Sequence, residues 1–157
     1  MQTTVLHIHK LLLKKQLTMA VAESCTGGLV SKLFTDISGS SKYFLAGIVA
    51  YSNKAKEKLL GIPRGIITKQ GAVSEKVAAL MAQKVRKLAK ADIGIGITGI
   101  AGPTGGTKSK PVGTVYVAVA SRNKTTCNLF RFQGSRDSIR KKSALKSLEL
   151  LNKAIKQ

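Results

Sequence analysis

The chain has 157 residues, about the length of one average domain, and 43% of them are apolar, which excludes a disordered tail. Its longest apolar run, residues 43–51, is too short to span a bilayer, and no basic leader precedes an apolar stretch at the N-terminus. The short apolar run thus excludes a membrane protein. Two cysteines cannot make a disulfide framework, which excludes a disulfide-rich secreted scaffold, and we therefore expect a cytoplasmic protein.

Apolar spacing along the chain predicts alternating helices and strands. Helices are predicted at residues 2–15, 28–35, 54–60, 75–88 and 136–154, the third capped by Asn53 and the fourth by Ser74. Strands are predicted at residues 18–23, 43–51, 93–98, 112–120 and 125–132, the last two as an antiparallel hairpin. This pattern predicts a single α/β domain over residues 1–157, with three α/β/α layers and a mixed sheet.

Charge is the most unusual property of the chain, because 27 Lys and Arg against 7 Asp and Glu give a net charge of +20. Such a balance favours an anionic partner, either nucleic acid, a membrane surface or a phosphorylated small molecule. The lysines are scattered singly, which is also typical of a surface that only keeps the protein soluble. Aromatic residues make up only 4% of the chain, so we do not expect specific nucleic-acid binding, which uses base-stacking side chains.

The sequence does not support either of two common nucleotide-binding motifs, G-x-G-x-x-G and Walker A. Residues 94–99 match G-x-G-x-x-G, but they lie within a predicted strand and no acidic residue occurs between Asp92 and Asp137. The loop at residues 99–106 lacks the Walker A spacing. Metal ligands are also not grouped, because His7 and His9 point to different faces of the first helix and the cysteines are far apart. No metal or cofactor is therefore predicted.

Ser24 lies where a buried strand meets a helix, and it is followed by Cys-Thr-Gly-Gly. A hydroxyl at this junction projects from the carboxyl end of the sheet. It lies beside helix N–H groups that can hold a phosphate or a developing oxyanion. An ordinary N-cap serine occupies the same position, so the junction alone leaves both interpretations open.

A serine nucleophile needs a base, and lysine can supply it when its pKa is lowered. Lys56 lies in the first turn of the helix that follows the strand ending at Tyr51. If this strand is parallel to the Ser24 strand, both junctions meet at one edge of the sheet, and the helix N-terminus disfavours the ammonium form. A solvated lysine beside Lys54 and Lys58 is the alternative.

Five sequence blocks carry a family resemblance: AESCTGG at 22–28, YSNKAK at 51–56, GAVSE at 71–75, GIAGPTGG at 99–106 and KPVGTV at 110–115. In order and spacing they resemble the C-terminal amidase domain of the competence/damage-inducible CinA family, over about residues 16–150. The chain looks like a stand-alone form without the family's N-terminal nucleotide-binding domain. The resemblance implies hydrolysis of nicotinamide mononucleotide to nicotinic acid mononucleotide and ammonia, a step of pyridine nucleotide salvage.

The same resemblance implies roles for individual residues. Ser24 matches the family nucleophile, Lys56 the base and Tyr51 the tyrosine that supports the pair. The residues that the resemblance and the glycine-rich blocks suggest for substrate binding are Thr26, Gly27, Gly28, Ser41, Thr98, Gly99, Gly102 and Arg136. Arg136 matches the arginine of a Gly-Asp-Arg-Asp motif in which Ser135 stands at the first aspartate.

The expected partners are a phosphorylated small molecule and a second copy of the chain, as a dimer, with no membrane. Two other hypotheses stay open. The first is a non-catalytic nucleic-acid or protein-binding module linked to competence or the DNA damage response. The second is a family member that has kept the pocket but hydrolyses a different amide.

Overall fold

The computed structural model describes residues 1–156, in which five strands form one sheet. The strands are β1 Met19–Glu23, β2 Phe44–Val49, β3 Ile93–Gly99, β4 Thr114–Ala120 and β5 Thr125–Arg131. Their order across the sheet is β2-β1-β3-β4-β5. β1 is parallel to both of its neighbours, whereas β4 is antiparallel to β3 and to β5. The carboxyl ends of β1, β2 and β3 therefore meet at one edge of the sheet.

Helices cover both faces of this sheet. In the described part of the chain they are α1 Gln2–Lys15, α2 Leu29–Thr35, α3 Asn53–Leu60, α4 Arg64–Gln70, α5 Glu75–Leu88 and α6 Arg136–Lys156. α1, α2 and α6 pack on one face against Val21, Ile95 and Val117, while α3, α4 and α5 pack on the other against Ala20 and Ala22. The three-layer α/β/α fold with a mixed sheet is confirmed. None of these helices is long and apolar enough to cross a membrane.

Two glycines of β3 let α5 approach the sheet closely. A Cβ built at Gly94 would lie 2.1 Å from the carbonyl oxygen of Ala82, and one at Gly96 would lie 2.3 Å from that of Ala78. Both distances are far below van der Waals contact, so only glycine fits at these positions. The apparent G-x-G-x-x-G motif is therefore a packing feature of this strand.

We expect Gly96→Ala to lower the free energy of unfolding by about 1–3 kcal/mol, because its methyl group would overlap the α5 backbone. For a domain of this size each kcal/mol corresponds to a fall in melting temperature of roughly 2–4 °C, which calorimetry measures. Gly65→Ala is the matched control, since nothing lies within 4 Å of a Cβ built there and Gly65 is helical. Equal melting temperatures for the two variants would contradict the steric explanation.

The structure differs from the sequence-based prediction at three points. The N-cap of α3 is Ser52, whose side chain accepts a hydrogen bond from the Ala55 amide, and not Asn53, which is the first helical residue. α4 was not predicted, because its short Arg-Gly-Ile-Ile-Thr-Lys-Gln sequence contains glycine and β-branched residues that are poor helix formers. β4 begins at Thr114 and not at residue 112, because Gly113 has a positive φ of 91°.

Candidate active site

Ser24 lies directly after β1, the central strand among the three parallel ones. Its amide donates a hydrogen bond of 2.9 Å to the carbonyl oxygen of Ile97 in β3, so the residue continues the sheet by one further bond. The Ala50 amide extends β2 in the same way, with a bond of 2.8 Å to the carbonyl oxygen of Glu23. These two bonds place the β1 and β2 junctions side by side, as the sequence predicted for parallel neighbours.

The Lys56 side chain returns from the first turn of α3 to this junction. Its Nζ lies 3.0 Å from the Ser24 Oγ and donates a bond of 2.9 Å to the Ala50 carbonyl oxygen. Only 1% of Lys56 is exposed, and 7% of Ser24. The lysine is thus not the solvated side chain of the alternative interpretation, but is fixed beside the serine hydroxyl.

Burial controls the proton affinities at this junction. Removal from water lowers the pKa of the Lys56 ammonium below its ordinary value of 10.5, because the charged form loses its hydration. Burial raises the pKa of the neighbouring Cys25 thiol to about 12, so this thiol stays protonated at neutral pH. The neutral amine of Lys56 is therefore easier to form than that of an exposed lysine, and its hydrogen-bond partner is the Ser24 hydroxyl.

Glu23 closes the N-terminus of α2, which corrects one sequence-based expectation. Its fully buried carboxylate accepts hydrogen bonds from the amides of Gly28, Val30 and Ser31 and from the Ser31 hydroxyl, at 2.7–3.1 Å. The prediction that these helix N–H groups hold a phosphate or an oxyanion is therefore wrong. An acidic residue next to a helix start is a signal that could have identified this cap.

A cleft of about 250 Å³ opens beside Ser24. Its walls are Ser24, Cys25, Tyr51, Arg136 and the loop that follows β3, namely Gly99, Ile100, Ala101, Gly102, Thr104 and Gly105. Within residues 1–156, the amides of Gly102, Thr104 and Gly105 make no hydrogen bond to the backbone. Arg136 is the only basic side chain among the described residues of this lining.

Arg136 lies across the mouth of the cleft. Its Nη1 donates to the Gly102 carbonyl oxygen and its Nη2 to the Tyr51 hydroxyl, each at 2.7 Å. Arg140, one turn further along α6, donates a bond of 2.8 Å to the Thr26 carbonyl oxygen. No sequence pattern indicated Arg140, because its position depends on how α6 packs over the turn that follows Ser24.

Five of the residues expected to bind substrate do not line the cleft: Thr26, Gly27, Gly28, Thr98 and Ser41. The first three build the turn after Ser24, in which both glycines have positive φ angles. The Thr98 hydroxyl is already bonded to the Ala72 carbonyl oxygen at 2.8 Å. Ser41 precedes β2 and is therefore at the opposite edge of the sheet, about 15 Å or more from Ser24 along the strands.

A larger cavity of about 650 Å³ lies at that opposite edge, beside Leu17, Ile93 and Ser121. Neither Ser24 nor Lys56 lines this cavity, so the smaller cleft beside Ser24 is the better candidate for the active site although it has less volume. Among residues 1–156 no three His, Cys, Asp or Glu side chains are grouped closely enough to hold a metal ion.

The fold and the site together define a three-layer α/β domain with a buried serine–lysine pair at the carboxyl edge of its parallel strands. The chain belongs to the CinA C-terminal domain family, whose family model matches residues 1–155. It is 48% identical over 148 residues to a CinA-like protein from Geobacter sulfurreducens, covering 94% of this chain and 36% of that protein. The chain thus spans about a third of the length of this curated relative.

Solved structures give the same result. The competence/damage inducible protein CihA from Agrobacterium tumefaciens superposes with a TM-score of 0.96 at 36% identity, over 99% of this chain and 95% of that one. A competence or damage-inducible protein from Enterobacter asburiae superposes with a TM-score of 0.94 at 32% identity, over 98% and 97% of the two chains. The resemblance seen in the sequence blocks is therefore confirmed at the level of the family.

Proposed function

We propose that this protein is an amidohydrolase that converts nicotinamide mononucleotide and water to nicotinic acid mononucleotide and ammonia. The observation that carries the proposal is the 3.0 Å contact between Lys56 Nζ and Ser24 Oγ, formed by a lysine that is almost completely buried. A neutral amine at hydrogen-bond distance can accept the hydroxyl proton and so activate the oxygen as a nucleophile. The choice of substrate comes from the family resemblance and from the positive charge at the cleft.

In the proposed first step, Lys56 accepts the Ser24 proton while Oγ attacks the carbonyl carbon of the carboxamide. The carbonyl oxygen becomes an oxyanion, which backbone N–H groups beside Ser24 stabilise in this mechanism. The Lys56 ammonium then returns its proton to the departing nitrogen, so that ammonia leaves and an acyl ester forms on Ser24. Water, deprotonated by Lys56, hydrolyses this ester and restores the enzyme.

The size and charge of the cleft support a mononucleotide substrate. The cleft measures about 250 Å³, which is at the small end for a ligand site and is consistent with a small-molecule substrate. Arg136 and the glycine-rich loop supply the donors that a 5′-phosphate needs. The binding-module hypothesis has no comparable support, since 4% aromatic residues give few side chains for base stacking.

Ammonia release from nicotinamide mononucleotide by the purified protein tests the proposal. Nicotinamide riboside and nicotinamide, which lack the phosphate, are the comparison substrates, and we expect much lower kcat/KM for both. Equal rates for the riboside would exclude phosphate recognition, and release only from an unrelated amide would favour a family member of different specificity. Tight DNA binding that persists at high salt, without amidase activity, would favour the binding module.

We expect turnover to survive exhaustive treatment with EDTA, because the proposed chemistry uses a nucleophile, a base and backbone donors. The measurement is ammonia release before and after chelation, with a parallel sample to which Zn²⁺ or Mg²⁺ is added back. Activity that is lost on chelation and restored by the metal would contradict the proposed mechanism.

A further inference from the structure

The Tyr51 side chain and its backbone have different neighbours. The hydroxyl accepts a 2.7 Å bond from Arg136 Nη2, whereas only the backbone carbonyl oxygen of Tyr51 approaches Lys56, at 3.4 Å. The side chain is 58% exposed and lines the cleft. The phenol hydroxyl is therefore bonded to the arginine and makes no hydrogen bond to Ser24 or Lys56.

We propose that Tyr51 is a positioning residue that acts through Arg136, its hydroxyl orienting the guanidinium toward the anionic group of the substrate. The proposal rests on the proposed function for the identity of that substrate. It differs from the role implied by the family resemblance, in which Tyr51 supports the serine–lysine pair.

The geometry of Arg136 explains how such positioning operates. A guanidinium has five N–H donors in a fixed plane, and the bonds to Tyr51 and Gly102 use two of them. These two acceptors, which both belong to residues lining the cleft, fix the orientation of this plane and leave the other donors for a ligand. An exposed arginine without these acceptors would lose its rotamer freedom only on binding, which reduces affinity.

Kinetic measurements on Tyr51→Phe distinguish positioning of Arg136 from support of the serine–lysine pair. If the hydroxyl acts through Arg136, KM for nicotinamide mononucleotide rises roughly threefold to tenfold, while kcat and the acidic limb of its pH profile stay unchanged. If the hydroxyl supports the base, kcat falls and the acidic limb moves, and this result would overturn the proposal. In an Arg136→Lys background, the additional Tyr51→Phe change has no further effect on KM, because the positioned group is absent.

A binding measurement keeps the inference independent of turnover. Inorganic phosphate is titrated into the wild-type protein and into Tyr51→Phe, and binding is measured by nuclear magnetic resonance. Tyr51→Phe is expected to raise the Kd for phosphate roughly threefold to tenfold. Tyr116→Phe is the matched control, because Tyr116 is on β4 and does not line the cleft. Unchanged phosphate affinity in Tyr51→Phe, or no phosphate binding by the wild-type protein, overturns the inference. Loss of amidase activity alone affects only the proposed function.

Discussion

Replacement of Ser24 by alanine is expected to lower the rate of ammonia release by roughly 10⁴-fold or more, because no acyl ester can form. The fold should remain, since the Ser24 side chain makes one hydrogen bond, to Lys56, and such a bond contributes about 1 kcal/mol to stability. Single-turnover assays of ammonia release measure the first effect, and thermal unfolding measures the second.

Ser38→Ala is the matched control for this change, because Ser38 is exposed and lies between α2 and the Ser40–Lys42 turn, away from the cleft. It should leave both activity and melting temperature unchanged. A Ser24→Ala protein that turns over substrate at the wild-type rate would exclude the covalent mechanism, and the proposed nucleophile with it.

The second large effect is expected at Lys56. Lys56→Met and Lys56→Arg should each reduce turnover by about 10³-fold or more, because methionine has no basic nitrogen and arginine does not lose its proton near neutral pH. Lys54→Met and Lys58→Met are matched controls on the same helix, since both lysines are exposed. Normal turnover by Lys56→Arg would remove Lys56 from the role of base.

The pH profile of the wild-type enzyme gives a second test of Lys56. Only the neutral amine can accept a proton, and burial lowers the pKa of Lys56, so the active form is more populated at neutral pH than in an exposed lysine. Activity should therefore fall as the pH decreases through the lowered pKa and the ammonium form accumulates. An acidic limb that persists unchanged in the residual activity of Lys56→Met would assign the titration to another group.

The sequence predicted that Ser24 and Lys56 meet if their strands are parallel neighbours, because parallel strands bring such junctions to one end of the sheet. Apolar patterning left the solvated-lysine alternative open, and the family resemblance singled out Lys56 as the base. The burial of the two residues could not be predicted in the same way. A lysine flanked by Lys54 and Lys58 has the local pattern of a solvated side chain, and only the packing of α3 against the sheet removes it from water.

Long-range register explains why Ser41 and Thr98 lie away from the cleft. Ser41 is close to Ser24 in sequence, but the chain must return to the other end of the sheet before it starts a parallel strand, and Ser41 lies at that other end. Thr98 is on the face of β3 that α5 covers, since β3 alternates with Ile97 facing α1, α2 and α6. The role of Glu23 was not predicted because most of its partners are backbone amides, and only its acidic character beside a helix start pointed to a cap.

The helix cap made by Glu23 determines how the site is expected to lose activity on heating. Glu23 and Ser24 are consecutive residues at the end of β1. The Glu23 carboxylate binds the N-terminus of α2, and the Ser24 amide is bonded to β3. These bonds tie the turn that holds the nucleophile both to α2 and to the central sheet. On heating, catalytic competence and the central sheet should be lost together, in a single cooperative event with no preceding loosening of the reactive loop.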